Sequence, residues 1–167
     1  MTTSGDFRIR PMMESDLEAV VRFAAALPSA PQWSRSMYIA FSAEVSLRRI
    51  ALVLEADQTD LAGFVVASLT PPEAEIESIA VATNLQRKGL ASRLVAELIT
   101  RLHRREVTEL HLEVRTSNHA ARKLYASFGF DVFGIRRCYY ADPVEDAVLL
   151  RLHLTSIEPA TGASQHP

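Results

Sequence analysis

The residues best able to do chemistry lie in two short blocks. The first is Asn84-Leu85-Gln86-Arg87-Lys88-Gly89-Leu90-Ala91, which joins an apolar strand-like run ending at Val81 to an amphipathic run beginning at Gly89. A helix N-terminus carries unpaired amides and about half a positive charge. A loop feeding into it can therefore wrap backbone N–H groups around a phosphate. Gly89 allows close backbone approach, and Ala91 has only a methyl group to keep clear. Arg87 and Lys88 add positive charge. Neither a P-loop nor a GxGxxG pattern is present, which argues against nucleotide binding by those routes. By itself the block reads equally well as a solvated loop with a helix-start glycine.

The second block is Leu112-Glu113-Val114-Arg115-Thr116-Ser117-Asn118-His119-Ala120-Ala121-Arg122-Lys123-Leu124-Tyr125, followed by Gly129-Phe130. On a strand, Leu110, Leu112 and Val114 face one side, and His111, Glu113 and Arg115 the other. Glu113 therefore need not enter the hydrophobic layer. Asn118 and Tyr125 are seven residues apart, on one side of a helix and two turns from each other, with the small Ala121 between them. Each residue also has a plain structural reading. Glu113 can pair with Arg115 or another surface charge, Asn118 can be an N-cap, and Tyr125 can pack beside Leu124 and Phe128. Glu75 and Glu77, on the strand before the loop, are rival bases.

Gln86-x-x-Gly89-x-Ala91 after Ile79-Ala80-Val81 resembles the pyrophosphate motif of the GNAT acetyltransferases, Q/R-x-x-G-x-G/A. The resemblance implies a mixed α/β GNAT fold with acetyl-CoA as co-substrate and no metal. The cofactor would be held by Gln86, Arg87, Lys88, Gly89, Leu90 and Ala91, and its pantetheine arm by the backbone of Ile79, Ala80 and Val81. Glu113-Val114-Arg115, Ser117-Asn118, Leu124-Tyr125, Gly129-Phe130, Gly134-x-Arg136-Arg137-x-Tyr139-Tyr140 and Pro143-x-Glu145-Asp146-Ala147 resemble the ribosomal-protein alanine N-acetyltransferases, the RimI type. That resemblance is strongest over residues 76–150 and has an N-terminal echo in Pro31-Gln32-Trp33-Ser34. It implies Glu113 as base, Tyr125 as acid, and Asn118 and Tyr125 against the cofactor. Trp33, Tyr38, Tyr139 and Tyr140 would line the acceptor groove. The implied acceptor is the N-terminal α-amine of a protein, with a ribosomal protein first in line. The alternatives are a small-molecule or lysine amine, or a non-catalytic acyl-CoA-binding module.

The chemistry fits these residue types. Acetyl transfer to an amine requires that the amine lose a proton, the thioester oxygen be stabilised and the leaving thiolate be protonated. Glu113 can act as base directly or through water. Tyr125 has a reference pKa near ~10, suited to a thiolate. A backbone amide near Val81 can hold the oxyanion. An α-amine, with a pKa of about 8 against about 10.4 for lysine, leaves less work for a carboxylate base.

The elements that must position these groups follow from periodicity. Residues 7–11 alternate as a strand. A helix opens near Ser15 or Asp16, either of which can cap its first turn. Leu17, Val20, Val21, Ala24 and Leu27 form its stripe, and Pro28 stops it. Pro28 to Gln32 is a loop, and a second helix is predicted over about Ser34 to Ser46. Ile50 to Glu55 and Leu61 to Leu69 read as a hairpin, and Ala74 to Val81 as another strand. Leu90, Leu94, Leu98 and Leu102 mark a long helix, with Glu97 and Arg101 spaced for an ion pair. Leu110 to Arg115 is a strand, and Asn118 to Phe128 a helix ended by Gly129. Phe130 to Tyr140 and Asp146 to Leu154 complete about seven strands and four helices. A mixed sheet with helices on both faces is the natural packing. Residues 1–155 read as one domain and 156–167 as a disordered tail.

Composition agrees. The 167 residues are 48% hydrophobic with a formal net charge of −2. No basic excess points to direct nucleic-acid binding. No run is long and apolar enough for a membrane span or signal peptide. A monomeric cytoplasmic protein is the expectation. The single cysteine, Cys138, is expected to be a buried structural thiol rather than an acyl carrier. The five histidines show no metal spacing.

Overall fold

The computed structural model describes residues 6–27, 48–56 and 60–154. In chain order the elements are β1 (Phe7–Pro11), α1 (Leu17–Ala25), β2 (Arg49–Ala56), β3 (Asp60–Thr70), β4 (Glu73–Val81), α2 (Leu90–His103), β5 (Glu109–Arg115), α3 (His119–Ser127), β6 (Asp131–Ala141) and β7 (Val144–His153). Short 3-10 turns, Glu14–Asp16 and Thr83–Leu85, precede α1 and α2. The fold is the mixed α/β sheet the periodicity predicts. The second predicted helix, over about Ser34 to Ser46, the Pro28 loop, Trp33, Tyr38 and the tail lie outside the described residues.

The seven strands form one sheet in the order β1-β2-β3-β4-β5-β7-β6. Only β4 and β5 run parallel, because α2 crosses between them. On one face α1 buries Leu17, Val20 and Ala24 with Val53, Phe64 and Val66. On the other, the α2 stripe of Leu90, Leu94, Val95, Leu98 and Leu102 packs with Leu52, Val65, Ile76, Leu110 and Leu112. Leu94, Leu98 and Leu102 are fully excluded from solvent. Burial of each contributes about 2 kcal/mol. Glu97 and Arg101 make the expected ion pair at 2.8 Å.

The start of α1 differs from the expectation. The Asp16 carboxylate caps no first-turn amide of α1. It turns back to accept the Met13 N–H at 2.7 Å and two guanidinium bonds from Arg10 at 2.7 and 2.8 Å. A bidentate arginine outcompetes a single backbone amide for those oxygens.

One irregularity shapes the centre of the sheet. β3 and β4 shift register between Val66 and Ala67, which face Ser78 and Ile76, so Glu77 is an extra, bulged residue. β4 pairs with β5 only from Glu73↔Glu109 to Ile76↔Leu112. Beyond that point β4 stays with β3 as far as Val81↔Gly63, and β5 stays with β7 as far as Arg115↔Ala147. A bulge bends the strand that carries it. Residues 77–81 and 113–115 thereby border a wedge that opens toward the loop before α2.

Candidate active site

That loop leaves a run of backbone amides without partners among the described residues. Arg87 and Gly89 both have positive φ, 65° and 77°. For Arg87, which has a β-carbon, this conformation costs about 1 kcal/mol. The first α2 amide with a partner is that of Arg93, donating to the Gly89 carbonyl at 3.1 Å. The N–H groups from Arg87 to Ser92 have no partner among the described residues, as expected at a helix start. A β-carbon on Gly89 would meet nothing within 4 Å, so the space above the loop is open to an incoming group. Arg87 and Lys88 are exposed beside it. The Gln86 side chain donates from Nε2 to the Val81 carbonyl at 3.1 Å. Gln86 thus ties the loop to the end of β4, and the backbone amides that follow are what remains for a phosphate. Leu90 turns its side chain into the core and offers only its N–H.

Glu113 sits on the β5 border of the wedge with its side chain 16% exposed. Its partner is Arg136, with Nη1 2.7 Å from Oε1. Arg115, the partner weighed from sequence, instead joins Glu145 at 3.2 Å and covers the Tyr140 ring at 4.1 Å. The Tyr139 phenol lies beside Glu113, and that carboxylate holds it above the usual tyrosine range. Its ring meets that of Tyr140 edge-on at 5.1 Å.

The rival carboxylates are sorted by their neighbours. Glu77 is ion-paired to Arg49 at 3.1 Å. Glu75 is raised above the usual carboxylate range, first by burial and then by the charges of Glu113 and Glu77. Three carboxylates so close make the region favourable for an ammonium group.

Asn118 is the N-cap of α3, with Oδ1 accepting the Ala121 N–H at 3.1 Å. Tyr125 is 4% exposed and packs edge-to-face on Phe130 at 5.3 Å. Burial raises its pKa well above the free phenol range. The hydroxyl therefore stays protonated at physiological pH and is a weaker acid than an exposed tyrosine. Its proton can move only to a strong base formed beside it.

Cys138 is exposed, not buried as expected. It lies in an irregular stretch of β6 with φ 51°, which turns its side chain outward. The contact of Arg136 with Glu113 has no signal in the local sequence pattern. Glu73, Glu109 and His111 place ligand atoms within 4.8 Å of one another at the start of β4 and β5. Glu109 there already bonds His111 at 3.1 Å and His153 at 3.3 Å. The Ser78 hydroxyl is buried without a partner among the described residues.

Residues 17–130 match the Acetyltransferase (GNAT) family. The chain belongs to the GNAT acetyltransferase family. It is similar to the [ribosomal protein bS18]-alanine N-acetyltransferase of Salmonella typhimurium, 39% identical over 125 residues, covering 74% of this chain and 82% of the relative. The Escherichia coli K12 protein of that name is 42% identical over 97 residues, covering 57% and 66%. The crystal structure of the Escherichia coli ribosomal-protein-S18-alanine N-acetyltransferase superposes with a TM-score of 0.79 at 32% identity, covering 93% of this chain and 98% of that one. Arabidopsis thaliana NAA60 in complex with acetyl-CoA gives a TM-score of 0.80 at 15% identity, a likeness of fold, covering 89% and 99%. As a GNAT member the chain is an acetyl-CoA-dependent N-acetyltransferase. No described helix is long and apolar enough to cross a membrane.

Proposed function

We propose that this GNAT enzyme acetylates the N-terminal α-amine of a protein, with an alanine-starting ribosomal protein of the bS18 kind as acceptor. It would act as a monomer in the cytoplasm, and residues 1–155 would form its one domain. The observation that carries the reading is the setting of Glu113, a carboxylate on the wedge border held between Arg136 and Tyr139. The relatives named above supply the acceptor class.

In this reading the amides from Arg87 to Ala91 hold the pyrophosphate of acetyl-CoA. The backbone of Ile79, Ala80 and Val81 meets the pantetheine arm, and Asn118 and Tyr125 flank the thioester end. Trp33, Tyr38, Tyr139 and Tyr140 line the acceptor groove. Glu113 removes a proton from the acceptor ammonium, directly or through water. The free amine attacks the thioester carbonyl, a C–N bond forms, the C–S bond breaks, and the nitrogen gives up its second proton to water as the amide forms. The leaving thiolate forms in the same desolvated surroundings that raise Tyr125, where it too is more basic than in water, and it is the group to which Tyr125 gives its proton. An α-amine suits this carboxylate better than lysine does, because its pKa is lower by about 2 units.

The test is CoA release with three acceptors: an alanine-starting bS18 peptide, an N-terminally blocked lysine peptide and a polyamine. Preference for the first by about tenfold or more in kcat/KM is expected from that pKa gap. Preference for either of the others would replace the acceptor assignment. Binding of acetyl-CoA with no transfer to any amine would make the chain a binding module.

A further inference from the structure

β6 and β7 lose register between Arg136 and Tyr140. Arg136 faces Ala147 and Tyr140 faces Glu145, so Arg137, Cys138 and Tyr139 stand opposite the single residue Asp146. In a regular strand, side chains three positions apart point to opposite faces. Arg136 and Tyr139 are three apart, yet both reach Glu113. They do so because the extra residues, with Cys138 at φ 51°, reset the alternation.

Asp146 holds this irregular stretch from both ends of its carboxylate. Oδ1 accepts the Cys138 N–H at 2.9 Å, and Oδ2 accepts from Arg137 Nη1 at 2.8 Å. The backbone carbonyl of Asp146 also accepts the Thr116 N–H at 3.2 Å and the Thr116 hydroxyl at 3.0 Å. Thr116 lies in the turn from β5 to Asn118 and α3. One residue thus joins the β6 bulge to the turn between the strand of Glu113 and the helix of Tyr125. The Cys138 amide, followed by Arg137, keeps the carboxyl below the usual range, so it is ionised at neutral pH.

We infer that Asp146 is a positioning residue for the acceptor half of the site. By fixing the bulge it keeps Arg136 and Tyr139 on Glu113, while the loop that serves acetyl-CoA is left independent of it. The inference rests on the proposed reading of Glu113 and Tyr139 as acceptor-side groups.

The test compares Asp146→Ala, Asp146→Asn and Arg137→Ala, with acceptor peptide and acetyl-CoA varied separately. Asp146→Ala is expected to raise the acceptor KM about tenfold, the loss of one charge-assisted hydrogen bond. Acetyl-CoA KM should stay within about twofold, since no bond of that half is removed. Asparagine keeps an oxygen for the Cys138 amide and should recover most of the loss. Arg137, 82% exposed, should matter little when truncated. An unchanged acceptor KM in Asp146→Ala, a parallel rise in both KM values, or no recovery by asparagine would overturn the inference.

Amide hydrogen exchange at Cys138 is a second readout that needs no acceptor. Exchange should be slow in wild type and Asp146→Asn and about tenfold faster in Asp146→Ala. Equal rates in all three would overturn the inference even if the acceptor proved to be another amine. Should Asp146→Ala fail to fold, Asp146→Ser, too short to reach the amide, takes its place in both measurements.

Discussion

Arg136 on β6 reaches over the intervening strand β7 to place Nη1 2.7 Å from Glu113 Oε1 on β5. The arginine side chain is 57% exposed and the carboxylate 16%. The pair therefore sits at the mouth of the wedge, with the cation outermost. In the proposed reading an acceptor ammonium would meet a carboxylate already fixed in orientation, and would take the place of the solvated arginine at small cost.

Glu113→Gln and Tyr125→Phe should each lower kcat by about a hundredfold or more, the usual contribution of a general acid or base. Acetyl-CoA affinity should persist in both, because neither change touches the loop amides. Steady-state kinetics with a binding titration of acetyl-CoA checks this. Normal turnover in either variant removes that residue from the proposed chemistry.

Gly89→Ala should weaken acetyl-CoA. The φ of 77° disfavours a β-carbon by about 1 kcal/mol, and the added methyl projects into the open space where the phosphate would lie. The expected result is a rise in acetyl-CoA KM of about fivefold or more with acceptor KM unchanged. Isothermal titration with CoA provides the direct measurement. Unaltered CoA affinity would mean the phosphates are held elsewhere.

Much of this arrangement was legible in the sequence. The leucine stripe of α2, the alternation of β5 and the Gly89 and Gly129 punctuation are local signals, and the structure follows them. The wedge was not legible, because it depends on a register shift that makes Glu77 an extra residue, and nothing in the local pattern Glu75-Ile76-Glu77-Ser78 announces it. The Arg136–Glu113 contact was hidden as well. It joins two strands that are not neighbours in the sheet, across β7, and strand order is not written in the local pattern. Cys138 is exposed although cysteine is usually buried, because it stands in the irregular stretch of β6. Asp16 caps no α1 amide because Arg10, six residues earlier on β1, takes its oxygens.

Asn118 is open to a prediction that separates its two roles. Asn118→Ala removes the cap on the Ala121 amide and should cost about 1 kcal/mol, or roughly 2–4 °C in Tm for a chain of this size. Asn118→Asp retains a capping oxygen and should restore Tm. If Asn118 also touches acetyl-CoA, the aspartate will not restore affinity, because it sets a negative charge beside an anionic ligand. Recovery of both by aspartate would leave Asn118 as a cap alone.

Glu75 provides a test that depends on pH. Its carboxyl titrates above the usual range in the folded protein, through burial and the charges of Glu113 and Glu77. A raised folded-state pKa means that the ionised form is tolerated less well in the fold than in the unfolded chain. The stability linked to the neutral form is full below the unfolded value of about 4.3 and is lost as pH rises through the folded value. Glu75→Gln removes that loss. It should raise Tm at pH 7 relative to wild type, and the gain should disappear below about pH 4, where the wild-type carboxyl is itself protonated. Turnover should persist if Glu113 is the base. Thermal melts at both pH values with parallel kinetics decide the matter. A variant that gains stability at pH 7 but loses all activity would transfer the role of base from Glu113 to Glu75.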